Sequence, residues 1–325
     1  MKLPQEIVDH TIDYFHCSYD TLRLLCLVSK SWVDASRHHL LWSVSLVSFD
    51  SVKAFAQILD ESVAFSRNRC LLPLGHYVRE LRAGGEDVDT FWGFLDIQKF
   101  VIMMQMLPNL DFLSIHRAQF FSDYPFDSTL QSSLTLEELH LIGVRFETLW
   151  GDEWSPTAAF LRCFSAIEGI EIDNPSFYRL GGWMLPSAEK LTGPAVKVKK
   201  ILFPSHSDIN ALHTFPIIRR ATDLTSVDSL FFSPNLRHEQ YRSIGQFMRS
   251  CSNCRGIVLN LCQRHTRTGQ CMRIVLYLLR DDTNIFDSHA CSSRLGRIEH
   301  FPSNRSQDNP FCGRTRKPET PSDWL

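Results

Sequence analysis

Between residues 78 and 259 one hydrophobic pattern recurs seven times: apolar, two variable positions, apolar, one variable position, apolar. It reads Val78-x-x-Leu81-x-Ala83, Leu110-x-x-Leu113-x-Ile115, Leu136-x-x-Leu139-x-Leu141 and Ile167-x-x-Ile170-x-Ile172. It continues as Val198-x-x-Ile201-x-Phe203, Val227-x-x-Leu230-x-Phe232 and Cys254-x-x-Ile257-x-Leu259. Successive central positions lie 32, 26, 31, 31, 29 and 27 residues apart, a spacing too even for chance alternation. The last two apolar residues of each unit alternate with period two, which predicts a short strand with one buried face. The first apolar residue packs just before the strand. Helical spacing fills the intervals at 96–107, 157–166, 208–220 and 239–251. One such unit cannot cover its own apolar faces, so the units must stack on one another.

The period and the apolar core of these units resemble leucine-rich repeats on the long side of that class. The resemblance implies an irregular α/β solenoid over residues 76–300, with strands on one side and helices on the other. Asn174 and Asn260 closely follow strands; otherwise the asparagine of short leucine-rich repeats is mostly missing. A generic α/β domain is the plainer alternative. Cys271 to Leu279 reads as a further strand or short helix, and Leu295 to Ile298 as a partial last unit.

The first forty-five residues carry a different pattern. Pro4 suits a helix start, and Ile7, Thr11, Ile12 and Phe15 recur at helical spacing. Asp20 is placed to cap a second helix with Leu22, Leu25 and Cys26 on one face and Leu24, Leu27 and Val28 on another. Trp32, Val33, Ser36 and Leu40 mark a third helix. Three short helices with this much apolar surface cannot hide all of it by themselves, which points to a docking module or to packing on the rest of the chain. Residues 46–75 read as a helical connector, with Val52, Phe55, Ala56, Ile58 and Leu59 on one face and Ser51 as cap.

Leu3-Pro4-x-Glu6-Ile7, Ile12-x-x-Phe15, Leu22, Cys26-x-Val28-Ser29-Lys30-x-Trp32 and Leu40-Leu41-Trp42, in this order and spacing, resemble an F-box. The nearest likeness is to the F-box proteins of mushroom-forming fungi, in which a Leu-Val-Ser-x-x-Trp signature follows the second helix. The resemblance implies that residues 1–45 form a three-helix module docking on the Skp-type adaptor of a cullin–RING ubiquitin ligase. Its adaptor contacts would be Leu3, Pro4, Ile7, Ile12, Leu22, Val28 and Trp32. The chain would then be a substrate receptor, not an enzyme, contributing proximity alone. A non-ligase repeat scaffold, with the same helices as a cap, is the alternative.

Composition narrows the partners. The 325 residues are 44% hydrophobic and 22% charged, within the ordinary globular range, and exceed what one compact core usually serves. A net charge of −2 gives no electrostatic case for nucleic acid or a membrane surface. No apolar run is long enough to span a bilayer, and the acidic start lacks a secretory signal, so a cytoplasmic or nuclear protein with reduced cysteines is expected. Residues 302–325, rich in Ser, Asn, Arg, Pro and Thr, are expected to be disordered.

Candidate chemistry is sparse. Cys251-x-x-Cys254 with Cys262, His265 and Cys271 offers zinc donors, but Cys254 occupies the first apolar position of the seventh unit. Both Cys251 and Cys254 therefore read as small buried hydrophobes, and no metal or other cofactor is expected. The pairs His38-His39 and His206/His213 lack the spacing of a shared ligand set. Gly84 to Asp89 and Asp152-Glu153-Trp154 read as turns. No nucleophile elbow, phosphate loop or zincin motif occurs. The middle strand positions Arg82, Ser114, His140, Glu171, Leu202, Phe231 and Val258 point outward, and Arg82, His140, Glu171 and Phe231 are the candidates for binding a target protein.

Overall fold

A computed structural model describes residues 3–69, 72–84, 94–122, 134–148, 156–173, 195–203, 215, 218–232, 246–262, 271–277 and 298–300. Three helices come first: α1 (Gln5–Tyr14), α2 (Tyr19–Val28) and α3 (Lys30–Leu41). Pro4 opens α1, where its missing N–H costs nothing. Ser18, not Asp20, precedes α2; Asp20 stands in the first turn, where its charge favours the helix dipole. Val8, Ile12 and Leu22 form a small buried core, with Phe15, Leu25, Trp32, Ala35 and Leu40 packed around it. A bond of 2.8 Å between His39 Nε2 and Asp13 Oδ1 ties α3 to α1.

The chain then enters a long, mostly parallel sheet. Its strands are β1 (Ser43–Leu46), β2 (Glu80–Gly84), β4 (Phe112–His116), β6 (Thr135–Ile142) and β8 (Ala166–Asp173). They are followed by β9 (Val196–Phe203), β11 (Ser229–Phe232) and β12 (Gly256–Cys262). These eight pair in chain order and in parallel, and the short β10 (Thr222–Asp223) joins β9. Leu81, Leu113, Leu139, Ile170, Ile201, Leu230 and Ile257 are successive register partners, so the seven central motif positions form one row across the sheet. All seven are buried, as are the apolar residues that open each unit, from Val78 to Cys254. The fold is thus mixed α/β with the strands where the period places them.

Several details depart from expectation. The sheet starts at Ser43, inside the segment assigned to the docking helices, because Val44 and Leu46 alternate inward while Ser45 faces out. The connector is therefore a crossover helix, α4 (Phe49–Arg69), between two paired strands. Ser48 caps it: its Oγ accepts from Ser51 N at 3.1 Å, and Ser51 Oγ accepts in return from Ser48 N at 3.0 Å. Val52 and Leu59 are buried, while Ile58 stands on the exposed side.

α5 (Ile97–Gln105) begins where expected, with Asp96 accepting from Gln98 N and Lys99 N. α6 (Pro156–Leu161) is shorter than 157–166, since Ala166 already opens β8. Residues 218–221 and 246–250 are helical ends of the two later segments, the rest of which lies outside the described residues.

A second parallel sheet was not foreseen: β3 (Phe94–Asp96), β5 (Gln119–Ser122) and β7 (Arg145–Thr148). Two equivalent left-handed bends lead into it, Arg117 (φ 51°) after β4 and Gly143 (φ 62°) after β6. The chain's later part is antiparallel rather than another parallel unit. β13 (Cys271–Tyr277) pairs antiparallel with β12, and β14 (Ile298–His300) with β13. Asn260 lies within β12 opposite Arg273, not in the turn after a strand. Asn174, His206, His213, Asp152 to Trp154 and the expected disordered tail lie outside the described residues.

The helical unit is fastened to the sheet. Leu41 packs against the main core, and the Trp42 carbonyl accepts from both Arg79 N and Glu80 N at 2.9 Å. Tyr77 donates from Oη to Asp34 Oδ1 at 2.6 Å. Burial first, then this bond and the Asp34 charge, pushes the Tyr77 phenol up to about 12. A raised folded value means the bond's stability is whole below the ordinary tyrosine value, about 10, and is lost as pH climbs through about 12. Tyr77→Phe should cost about 1–2 kcal/mol near neutral pH and flatten the alkaline loss relative to the parent. Urea unfolding of both chains at about pH 9 and about pH 11.5 reads this directly.

Candidate interaction surfaces

The seven positions named for adaptor docking do not share one environment. Leu3, Ile7 and Val28 are 60%, 53% and 61% exposed, and Pro4 is exposed beside them. Ile12 and Leu22 are wholly buried in the small core of α1–α3, so they hold the helices together and are unavailable to a partner. Trp32 is half-buried against the same core. On α1 the inward pair is Val8 and Ile12, which turns Ile7 outward.

The structure adds two residues that sequence reasoning placed on the right face but did not nominate. Leu24 and Leu27 are 66% and 81% exposed, and with Val28 they form an i, i+3, i+4 stripe on α2. The signal was present in the split of α2 into two apolar faces, since only one of them can face the small core. Tyr14 and Tyr19 are exposed near the turn between α1 and α2. Large apolar side chains at the surface are normal singly. Here most of the exposed ones among the described residues fall within the first 42 positions, which makes these helices a candidate interaction surface.

The outward face of the long sheet carries the second set. Arg82, Ser114, His140, Glu171, Leu202 and Phe231 are consecutive register partners, so the sheet brings all four proposed target-binding residues into one row. Arg82 reaches Glu80 at 3.2 Å and lies over the Phe112 ring, and the His140 ring meets Phe112 edge-on at 4.9 Å between centroids. His140 Nε2 stands 3.2 Å from Glu138 Oε2 and 3.6 Å from Glu171 Oε2. Ser114 is buried under this cluster and bonded to His116 Nε2 at 2.7 Å. Val258 is the next register partner after Phe231.

Of the late cysteines, Cys251 and Cys254 pack as apolar side chains. Cys251 and Cys254 are buried in the main core; burial pushes the Cys251 thiol up to about 12 and raises that of Cys254. Burial likewise pushes Cys163 up to about 12. Cys262 and Cys271 are register partners across β12 and β13, and His265 lies outside the described residues. Among the described residues no three His, Cys, Asp or Glu side chains are grouped to hold a metal.

Alkylation near neutral pH should leave Cys163, Cys251 and Cys254 unmodified in the folded chain and modify exposed Cys17; all should react in urea. Peptide mass spectrometry checks this, and rapid native labelling of Cys251 and Cys254 would place them at the surface.

His38 and His39 stand 5.4 Å apart between ring centroids, His39 bonded to Asp13 and His38 edge-on to Trp42. Burial, then the neighbouring His39 and Arg79, holds His38 below the usual histidine value. Gly84 ends β2 with φ 130°, and a Cβ there would meet the His116 carbonyl, so this turn requires glycine. No helix among the described residues is long and apolar enough to cross a membrane. Compared with known proteins, the chain matches no family model, no curated protein and no solved structure.

Proposed function

We propose that this protein is the substrate-recognition subunit of an SCF-type cullin–RING ubiquitin ligase. Helices α1–α3 would dock, as an F-box-like module, on the Skp-type adaptor. The sheet and its helices, read as an irregular leucine-rich-repeat-like solenoid, would bind a target protein on the outward strand face. The chain would carry no catalytic residue; holding a target beside the ligase raises its effective concentration for ubiquitin transfer. A cytoplasmic or nuclear place of action goes with that role.

The observation that carries the docking half is the exposed set Leu3, Ile7, Leu24, Leu27 and Val28 on helices that already own a separate core. A helical unit that merely closed a sheet would turn such residues toward it. The repeat half is supported by the single register row from Leu81 to Ile257 and by strand order that follows chain order. Co-expression with a Skp-type adaptor, followed by size-exclusion chromatography, tests the proposal, and absence of co-elution from folded protein rejects it.

A second reading, a non-ligase interaction scaffold capped by α1–α3, draws on the joint itself. The Tyr77–Asp34 bond, the doubly bonded Trp42 carbonyl and buried Leu46 attach the helices to the first strands as a cap would be. The same chromatography separates the two, because a cap has no affinity for the adaptor.

A further inference from the structure

We propose that the outward sheet face from β6 to β11 receives an extended segment of the target in which a basic residue stands two positions from a large apolar one. This rests on the target-capture half of the function proposed above and names the chemistry it selects.

Charge sets the basic position. Glu80 on this face is matched by Arg82 at 3.2 Å. Glu138 and Glu171 share only His140 Nε2, and neither meets a lysine or arginine among the described residues. One imidazole nitrogen donates one N–H, so two carboxylates with four acceptor oxygens between them keep most of their bonding capacity unused. Both are open to solvent to some degree, Glu138 more than Glu171. An arginine fork is the group that fits two carboxylates on neighbouring strands.

The apolar position follows from register. Glu171, Leu202 and Phe231 are consecutive partners on β8, β9 and β11. Leu202 and Phe231 are half-buried beside outward Gly169, Glu171, Lys200 and Ser229, and Ile142 on β6 is the other half-buried apolar position on this face. Neighbouring strands lie about 4.8 Å apart, which places the Leu202–Phe231 pair roughly 7 Å beyond Glu171. In an extended peptide, side chains on one side repeat every 6.6–6.8 Å or so, the distance from one residue to the next but one. A segment crossing the strands can therefore set a basic side chain over Glu171, within reach of Glu138 on the neighbouring strand, while the second following or preceding side chain rests on Leu202 and Phe231. Gly169, Ser229 and Gly256 line the adjacent row beside exposed Lys200, leaving room for the peptide backbone.

The test titrates the full chain into fluorescein-labelled peptides in one Gly/Ser frame, carrying Arg-Ser-Phe, Glu-Ser-Phe or Arg-Ser-Ser, and reads anisotropy. Arg-Ser-Phe should bind roughly tenfold more tightly than either of the others. Glu138→Lys/Glu171→Lys should reverse the Arg-over-Glu preference, and Phe231→Ser should erase the Phe-over-Ser preference. Glu138→Gln/Glu171→Gln, a milder change, should abolish the Arg-over-Glu preference without reversing it, and thermal unfolding checks that each variant remains folded. Equal binding of all three peptides, tighter binding of Glu-Ser-Phe by the parent, no binding at all, or an unchanged preference in the folded variants overturns the proposal. No adaptor is present in this assay. Failure of adaptor co-elution therefore counts against the ligase reading alone, and failure here counts against this surface alone.

Discussion

Leu24→Glu/Val28→Lys should remove co-elution with a Skp-type adaptor while thermal unfolding stays close to that of the parent chain. Both side chains are mostly exposed on α2, so the folded monomer loses little packing, and surface changes of this kind usually stay within about 0.5 kcal/mol. The chosen pair also supports its helix: glutamate four residues before lysine is the favourable order, and lysine suits the last position of α2. In the proposed complex the same two positions are apolar anchors. Truncating central anchors costs about 2 kcal/mol or more each, and burying charges in their place adds a desolvation cost. A combined loss of about 4 kcal/mol is roughly a thousandfold in affinity, enough to abolish co-elution at micromolar protein. Ile12 and Leu22 are unsuitable for this experiment, because they fill the core of the helical unit and their loss would unfold it. Trp32→Ala has the same defect in part. If the folded double variant still co-elutes, the α2 stripe is not the docking surface.

The sequence and the structure agree where one physical constraint acts alone. Leu81 to Ile257 align from the sequence alone because each sits on a strand with one buried face, and period two then fixes which residues point inward. The helix start at residue 96 was legible from apolar spacing, and the Asp96 carboxylate fixes it there by accepting from Gln98 N and Lys99 N. Where two constraints compete, the pattern misleads. Ile7 and Val8 are adjacent apolar residues, and only packing against Leu22 decides that Val8 turns inward. Val44 and Leu46 alternate like a strand, but the run of apolar residues from Leu40 to Trp42 hides where the helix stops. β3, β5 and β7 hold three or four residues each, too few for a periodic signal. The candidate interaction surfaces were half legible. Residue types named the row from Arg82 to Phe231, but pairing Glu138 with Glu171 around His140 needed the register between strands.

Phe160→Ala should be among the most destabilising single truncations of the sheet domain, at about 3–5 kcal/mol. Phe160 is fully buried on α6. Its ring stacks on Phe120 of β5 at 5.9 Å between centroids and meets Phe164 edge-on at 5.5 Å. Phe120 in turn meets Phe100 of α5 at 5.3 Å. This aromatic chain joins two helices to the second sheet, so removing one ring leaves a cavity that neither a short helix nor a paired strand can close by moving alone. Ile201→Val, which removes one methylene from the central row, should cost only about 0.5–1.5 kcal/mol. Urea unfolding should show a lower midpoint for Phe160→Ala with an unchanged slope, the mark of lost stability without a change in exposed surface. A cost below about 1 kcal/mol would mean that the rings are not packed as described. The small core of Val8, Ile12 and Leu22 shares no residue with the main core. Phe160→Ala protein kept well below its unfolding transition should therefore still co-elute with the adaptor, which sets loss of stability apart from loss of docking.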